Sequence, residues 1–172
     1  MKTERIRKLV FAAAIGALYA ALTLATSWLP INYGPVQFRI SEALCVLPYC
    51  FPGSVWGLFV GCVVGNLLSP YPLDIAVGAI ATLLAALATS RMPRRWLAPL
   101  PPVLANGLIV GALIAWYEAG FGPGFGAAFW LNALSVAGGE LLVCYALGLP
   151  LLYAMYRIPF FQKRIAPQRL KY

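Results

Sequence analysis

Thirteen Lys and Arg residues are available to a chain of 172 positions, yet twelve of them fall in three short stretches, 2–8, 91–95 and 157–171. Between these islands the sequence is almost continuously apolar. Hydrocarbon strongly disfavours charge, and basic loop residues are retained on the cytoplasmic side of a bilayer, so this distribution both marks a polytopic membrane protein and orients it. The termini and the 91–95 loop are expected to face the cytoplasm. Composition agrees: 10% of residues are charged, against about a quarter in soluble domains. The net charge of +8 does not point to nucleic acid, because the basic residues flank hydrophobic runs and do not interleave with aromatics along a groove.

A span of about 20 helical residues crosses the hydrocarbon layer. On that measure the sequence predicts one integral membrane domain over 1–172, an all-α bundle of six transmembrane helices at about 9–29, 38–51, 54–69, 73–90, 99–116 and 126–155. The second is short and contains Pro48, but without it the terminal basic clusters would lie on opposite sides of the membrane. The first apolar run follows a basic start but is too long for a signal peptide and has no clear small-residue cleavage site. The four cysteines show no CxxC spacing and there is no histidine to join them, so no metal site is expected and they read as small packing residues.

Six spans put the loops 30–37, 69–72 and 117–125 outside. Arg39, Glu42, Asp74 and Glu118 sit in or beside them, which gathers polar side chains where an external solute would be captured. Each intramembrane ionisable residue needs a partner or a function. Arg39 and Glu42, three apart, share a helical face and either pair with each other or bind a polar planar ligand. Asp74 follows a Pro-Tyr-Pro turn and serves either as a helix cap or as a ligand group. Glu140 lies deeper, after Gly138 and Gly139, where there is room for a ligand or an internal polar contact. Asn66, Asn106 and Asn132 interrupt apolar stretches, where an amide bridges helices or reads a ligand edge. Phe38 and Trp116 belong to an outer group of aromatics that fits either an interfacial belt or a stacking platform. The run Phe121-Gly122-Pro123-Gly124-Phe125-Gly126 suits a lid.

Two small-residue ladders recur every fourth position. Ala13, Ala17 and Ala21 form one, with Ala12, Gly16 and Ala20 alongside, and Gly53, Gly57, Gly61 and Gly65 form the other. Both allow close helix approach, within the bundle or against a partner. No GxxxxGK[ST] loop, HExxH or GxSxG motif is present, so catalysis is not expected and uphill transport would draw on a partner or an ion gradient.

The segment Tyr33-Gly34-Pro35-Val36-Gln37-Phe38-Arg39-Ile40-Ser41-Glu42-Ala43-Leu44, followed by Val46-Leu47-Pro48, the stretch 57–66 and Asp74-Ile75, resembles the QueT family of queuosine-precursor transporters. The resemblance implies the substrate-binding S component of an energy-coupling factor (ECF) transporter in a prokaryotic cell membrane. It also implies docking on a transmembrane coupling subunit through Ala13, Ala17 and Ala21, and ATP used only by two partner ATPases, with no cofactor in this chain. The ligand would be a 7-deazaguanine base, queuine or its aminomethyl precursor, with Glu42 or Glu140 accepting from its guanine-like edge. Arg39 or an asparagine would donate to its carbonyl, and Asp74 would take a side-arm amine. A different reading is a stand-alone ion-coupled carrier for a small polar heterocycle, with Asp74 or Glu140 as the proton-coupled carboxylate. A third is a structural membrane protein whose ladders serve assembly alone.

Overall fold

A computed structural model describes residues 2–27 and 38–165. The expected outer loop 30–37, with the first part of the Tyr33 motif, and the basic residues beyond 165 lie outside the described residues. All regular structure among the described residues is helical. Helix α1 (Lys2–Thr26) is followed by a 3-10 segment, Ile40–Tyr49, and then by α2 (Ser54–Gly65), α3 (Asp74–Thr89), α4 (Leu100–Ala119), α5 (Phe125–Val143), α6 (Leu149–Arg157) and the short α7 (Pro159–Gln162). Three stretches, Glu4–Thr26, Arg95–Ala119 and Phe125–Arg157, are long and apolar enough to cross a membrane. Three more, Ile40–Tyr49, Ser54–Leu68 and Asp74–Thr89, are apolar but shorter.

The region of the expected second helix takes 3-10 form, with Pro48 inside it. A 3-10 helix rises about 2.0 Å per residue, so ten residues reach about 20 Å where an α-helix would reach about 15 Å. Runs of this length are uncommon in 3-10 form, and here surrounding protein supports the backbone: every residue from Ser41 to Tyr49 is buried. The segment is therefore the axis of the bundle, with Tyr19, Leu44, Val46, Leu47, Tyr49, Leu58 and Leu152 in the surrounding core.

Glycine explains how tightly the other helices approach. A Cβ on Gly57 would stand 2.0 Å from the Ala12 carbonyl oxygen, one on Gly61 2.5 Å from that of Gly16, and one on Gly16 2.4 Å from that of Gly57. Backbone thus meets backbone along the α1–α2 seam, which recovers dispersion contacts that lipid would otherwise supply. Gly65 meets the Thr23 side chain instead of backbone, and Gly53 departs from the ladder, with nothing within 4 Å of its Cβ position. A second seam, unread in the sequence, sets Gly107 and Gly111 of α4 against Ala137 and Ala133 of α5.

Helices α5 and α6 run on through one π turn, Cys144–Gly148. Pro150 lacks an N–H and its ring crowds the preceding turn, which favours a widened helix just before it. Gly148 completes the arrangement, since a Cβ there would lie 2.9 Å from the Ala43 carbonyl oxygen. The π turn and the 3-10 axis consequently touch.

Candidate functional site

Two polar clusters lie inside this apolar bundle, both anchored on the 3-10 axis. At its start, Arg39 has an extended backbone and sends its guanidinium away from Glu42. Its Nη2 donates to Asp74 Oδ2 at 2.7 Å and its Nη1 to Asn66 Oδ1 at 3.1 Å. Asn66 closes the triangle by donating from Nδ2 to the Asp74 carbonyl oxygen at 2.9 Å. Arg39 is 6% exposed and Asp74 1%, so this is a buried ion pair and not the surface pair with Glu42 that the spacing allowed. Asp74 makes no side-chain cap to its helix; it accepts from Arg39 and from Ser69 Oγ. Its Oδ1 has no hydrogen-bond partner among the described residues. Gly78, one turn on, makes room, because a Cβ there would come within 2.4 Å of that same oxygen.

The second cluster holds two carboxylates. Glu42 accepts from the Tyr19 hydroxyl at Oε1 and from the Cys45 thiol at Oε2, 3.0 Å away. Glu140 accepts from Asn106 Nδ2 at Oε1, 2.7 Å away, and from the Cys144 thiol at Oε2, 3.6 Å away. The Cys144 thiol also lies 3.4 Å from the Glu42 carbonyl oxygen, so it joins the two halves. The α4–α5 glycine seam holds Asn106 beside Glu140, and the contact between π turn and 3-10 axis brings Cys144 to Glu42. Both glutamates are buried, and among the described residues neither is in an ion pair. An ionised carboxylate accepts about four hydrogen bonds, so two donors leave capacity on each.

Arg39, Asn66 and Asp74 are thus brought together, as are Glu42, Asn106 and Glu140. Phe38 is half-buried and Trp116 exposed; Trp116 packs edge-on against Tyr117, which contacts Tyr71 and accepts a hydrogen bond from the Leu73 amide. Asn132 donates to Glu118 at 2.7 Å, away from both clusters. Ala13, Ala17 and Ala21 are exposed, whereas Gly16 and Ala20 are buried. Reading by residue class missed Tyr19, Cys45 and Cys144. The signal was there: a cysteine follows each glutamate by one helical turn, at 45 after 42 and at 144 after 140, and Tyr19 precedes Thr23 by four, so that Thr23 meets Ser41 at 2.7 Å. Among the described residues no three metal-binding side chains are grouped to hold an ion.

The family model for QueT transporters matches residues 9–157, which includes both clusters. The chain belongs to the QueT transporter family. A curated relative, the queuosine precursor transporter QueT of Lactococcus lactis subsp. cremoris, is 35% identical over 83 residues, covering 48% of this chain and 49% of that protein. The aligned stretch thus spans about half the length of the curated relative. No solved structure matches. Membership of this family and three helical stretches long and apolar enough to cross a bilayer fit a membrane protein.

Proposed function

We propose that this QueT family member is the substrate-binding S component of an ECF-type importer for a queuosine precursor, queuine or the aminomethyl-deazaguanine base. The observation that carries the reading is the pair of buried glutamates held, among the described residues, only by neutral donors. Burying a carboxylate without a cation is costly, and a ligand rich in N–H groups offsets that cost when it binds. A guanine-like edge presents a ring N–H and an exocyclic amine side by side, which one carboxylate of Glu42 or Glu140 accepts together. Asn106 or Arg39 donates to the ring carbonyl, and the open Oδ1 of Asp74 takes a protonated side-arm amine. Asn66 holds Arg39 and Asp74 in place, while Phe38 and Trp116 offer aromatic faces towards the outer end.

The proposed topology is six spans with both termini cytoplasmic. It is supported by the grouping of the basic residues: Arg7 and Lys8 share a cavity wall with Lys163 and Arg164, and Arg95 stacks 4.1 Å over the Tyr156 ring. Glu42 and Glu140 are buried in this conformation, so ligand entry requires the outer loops to open. The loop after α4 has the means: Gly120 adopts a φ of 57°, favoured by glycine, and Phe121 is 84% exposed. The exposed Ala13, Ala17 and Ala21 form a smooth face for a transmembrane coupling subunit, and two cytoplasmic ATPases supply the energy. Ala17→Trp is expected to abolish ATP-dependent uptake in cells while leaving ligand binding by the purified chain intact.

The deciding experiment is equilibrium binding of queuine and the aminomethyl base to the purified chain, with guanine and riboflavin as controls. Tight and selective binding without any partner supports the reading. Uptake that persists without an ATPase and collapses with the ion gradient would instead establish a stand-alone carrier.

A further inference from the structure

Three rungs of the α2 glycine ladder are accounted for by helix contact; Gly53 is not. It lies in the wall of a cavity of about 620 Å³ at the basic end of the bundle. Arg7 and Lys8 of α1 line one side and Lys163 and Arg164, after α7, another. Among the described residues the only acid at this cavity is Glu4, which lies 3.7 Å from Arg7 in an exposed pair, so the lining stays strongly positive. Gly53 and Ser54 add the N-terminal end of α2, whose dipole also favours an anion. The floor is apolar: Phe11 and Phe51 line it, their rings 4.9 Å apart, and Phe161 lies against both.

The geometry points to a binding site for one anionic phospholipid carrying two phosphates, of the cardiolipin class. Two basic pairs, one from each end of the chain, match two phosphates. The phenylalanine floor matches the glycerol backbone and the first methylenes of the acyl chains. Continuity with the lipid-facing surface supports a membrane lipid over a soluble anion, since the exposed apolar residues Leu9 and Val10 follow directly after Lys8. The lipid would bridge α1 to the C-terminal end of the bundle, and the site is independent of the transported solute.

Native mass spectrometry of the purified chain titrated with cardiolipin, phosphatidylglycerol and phosphatidylcholine tests this. One tight cardiolipin site is expected, with phosphatidylglycerol weaker and phosphatidylcholine weakest. Lys163→Gln together with Arg164→Gln should weaken cardiolipin about tenfold or more, since each basic side chain near an anionic lipid surface contributes on the order of 1 kcal/mol. Gly53→Leu should weaken it without changing any charge, its side chain starting from a Cβ position with nothing within 4 Å. Arg91→Gln with Arg94→Gln, outside the cavity, should leave the tight site intact. Equal binding of all three lipids, no effect of Gly53→Leu in a folded chain, or an equal loss in the Arg91/Arg94 variant would each overturn the proposal. Inorganic phosphate competing as well as cardiolipin would overturn it in favour of a soluble anion, and an acidic partner segment competing as well would do so in favour of a protein contact.

Discussion

Arg39–Asp74 and Glu42–Glu140 are both buried polar pairs anchored on the same 3-10 axis, yet among the described residues only the first contains its own counter-ion. Arg39 and Asp74 neutralise each other at 2.7 Å and are braced by Asn66, so that cluster is largely complete without a ligand. Glu42 and Glu140 are surrounded by a phenol, an amide and two thiols, which share hydrogen bonds but bring no positive charge. The difference separates a cluster that holds the fold from one that gains from a ligand. Asp74 Oδ1, an opening in the first cluster, is where the two roles meet.

The largest effect should come from breaking the ion pair. Asp74→Ala takes the carboxylate away from the buried Arg39 guanidinium and is expected to cost about 3–5 kcal/mol of stability, read from denaturant unfolding in detergent. Replacing both partners, Arg39→Met with Asp74→Leu, should recover most of that loss, because no charge is then stranded. If the double variant is no better than the single one, the pair is not behaving as a unit and the first cluster does not differ from the second in this respect.

The glutamates should respond the other way round. Glu140→Gln keeps the shape of the side chain, so stability should change little, whereas affinity for the aminomethyl base should fall about 10–100-fold, as expected for losing a hydrogen bond to a charged group. Isothermal titration of that variant beside Glu42→Gln shows which carboxylate reads the base edge. A large stability loss with unchanged affinity would move Glu140 into the structural class with Asp74.

Tyr19→Phe gives the smallest effect and sharpens the boundary between the clusters. It removes one neutral donor from Glu42 and should cost about 1 kcal/mol. Because the ring stays in place, circular dichroism should show an unchanged helix content while the unfolding midpoint shifts slightly.

Much of the bundle was legible because the bilayer reduces the problem to apolar length and basic flanks. The expected helix at 73–90 compares with an observed Asp74–Thr89, and that at 99–116 with Leu100–Ala119. The departures are local and have local causes. Pro48 and the burial of Ser41 to Tyr49 go with the 3-10 form of Ile40–Tyr49, and Gly148 with Pro150 accounts for the π turn in what reads as one long helix. At the candidate site, residue type and apolar context were enough to single out Arg39, Glu42, Asn66, Asp74, Asn106 and Glu140. They were not enough to assign partners: the three-residue spacing allowed Arg39 to meet Glu42, and it meets Asp74, 35 positions away.

The amino-acid sequence by itself determined that the chain is a membrane bundle with basic ends and a few costly intramembrane polar groups, because each follows from counting charges and apolar residues along one dimension. Only the tertiary structure decided which of those groups cancel and which are left open, and that Gly53 faces a cavity while Gly57, Gly61 and Gly65 face a helix. Electrostatic pairing and steric contact depend on distances of a few ångströms between residues far apart in the chain, and those distances exist only once the helices have packed.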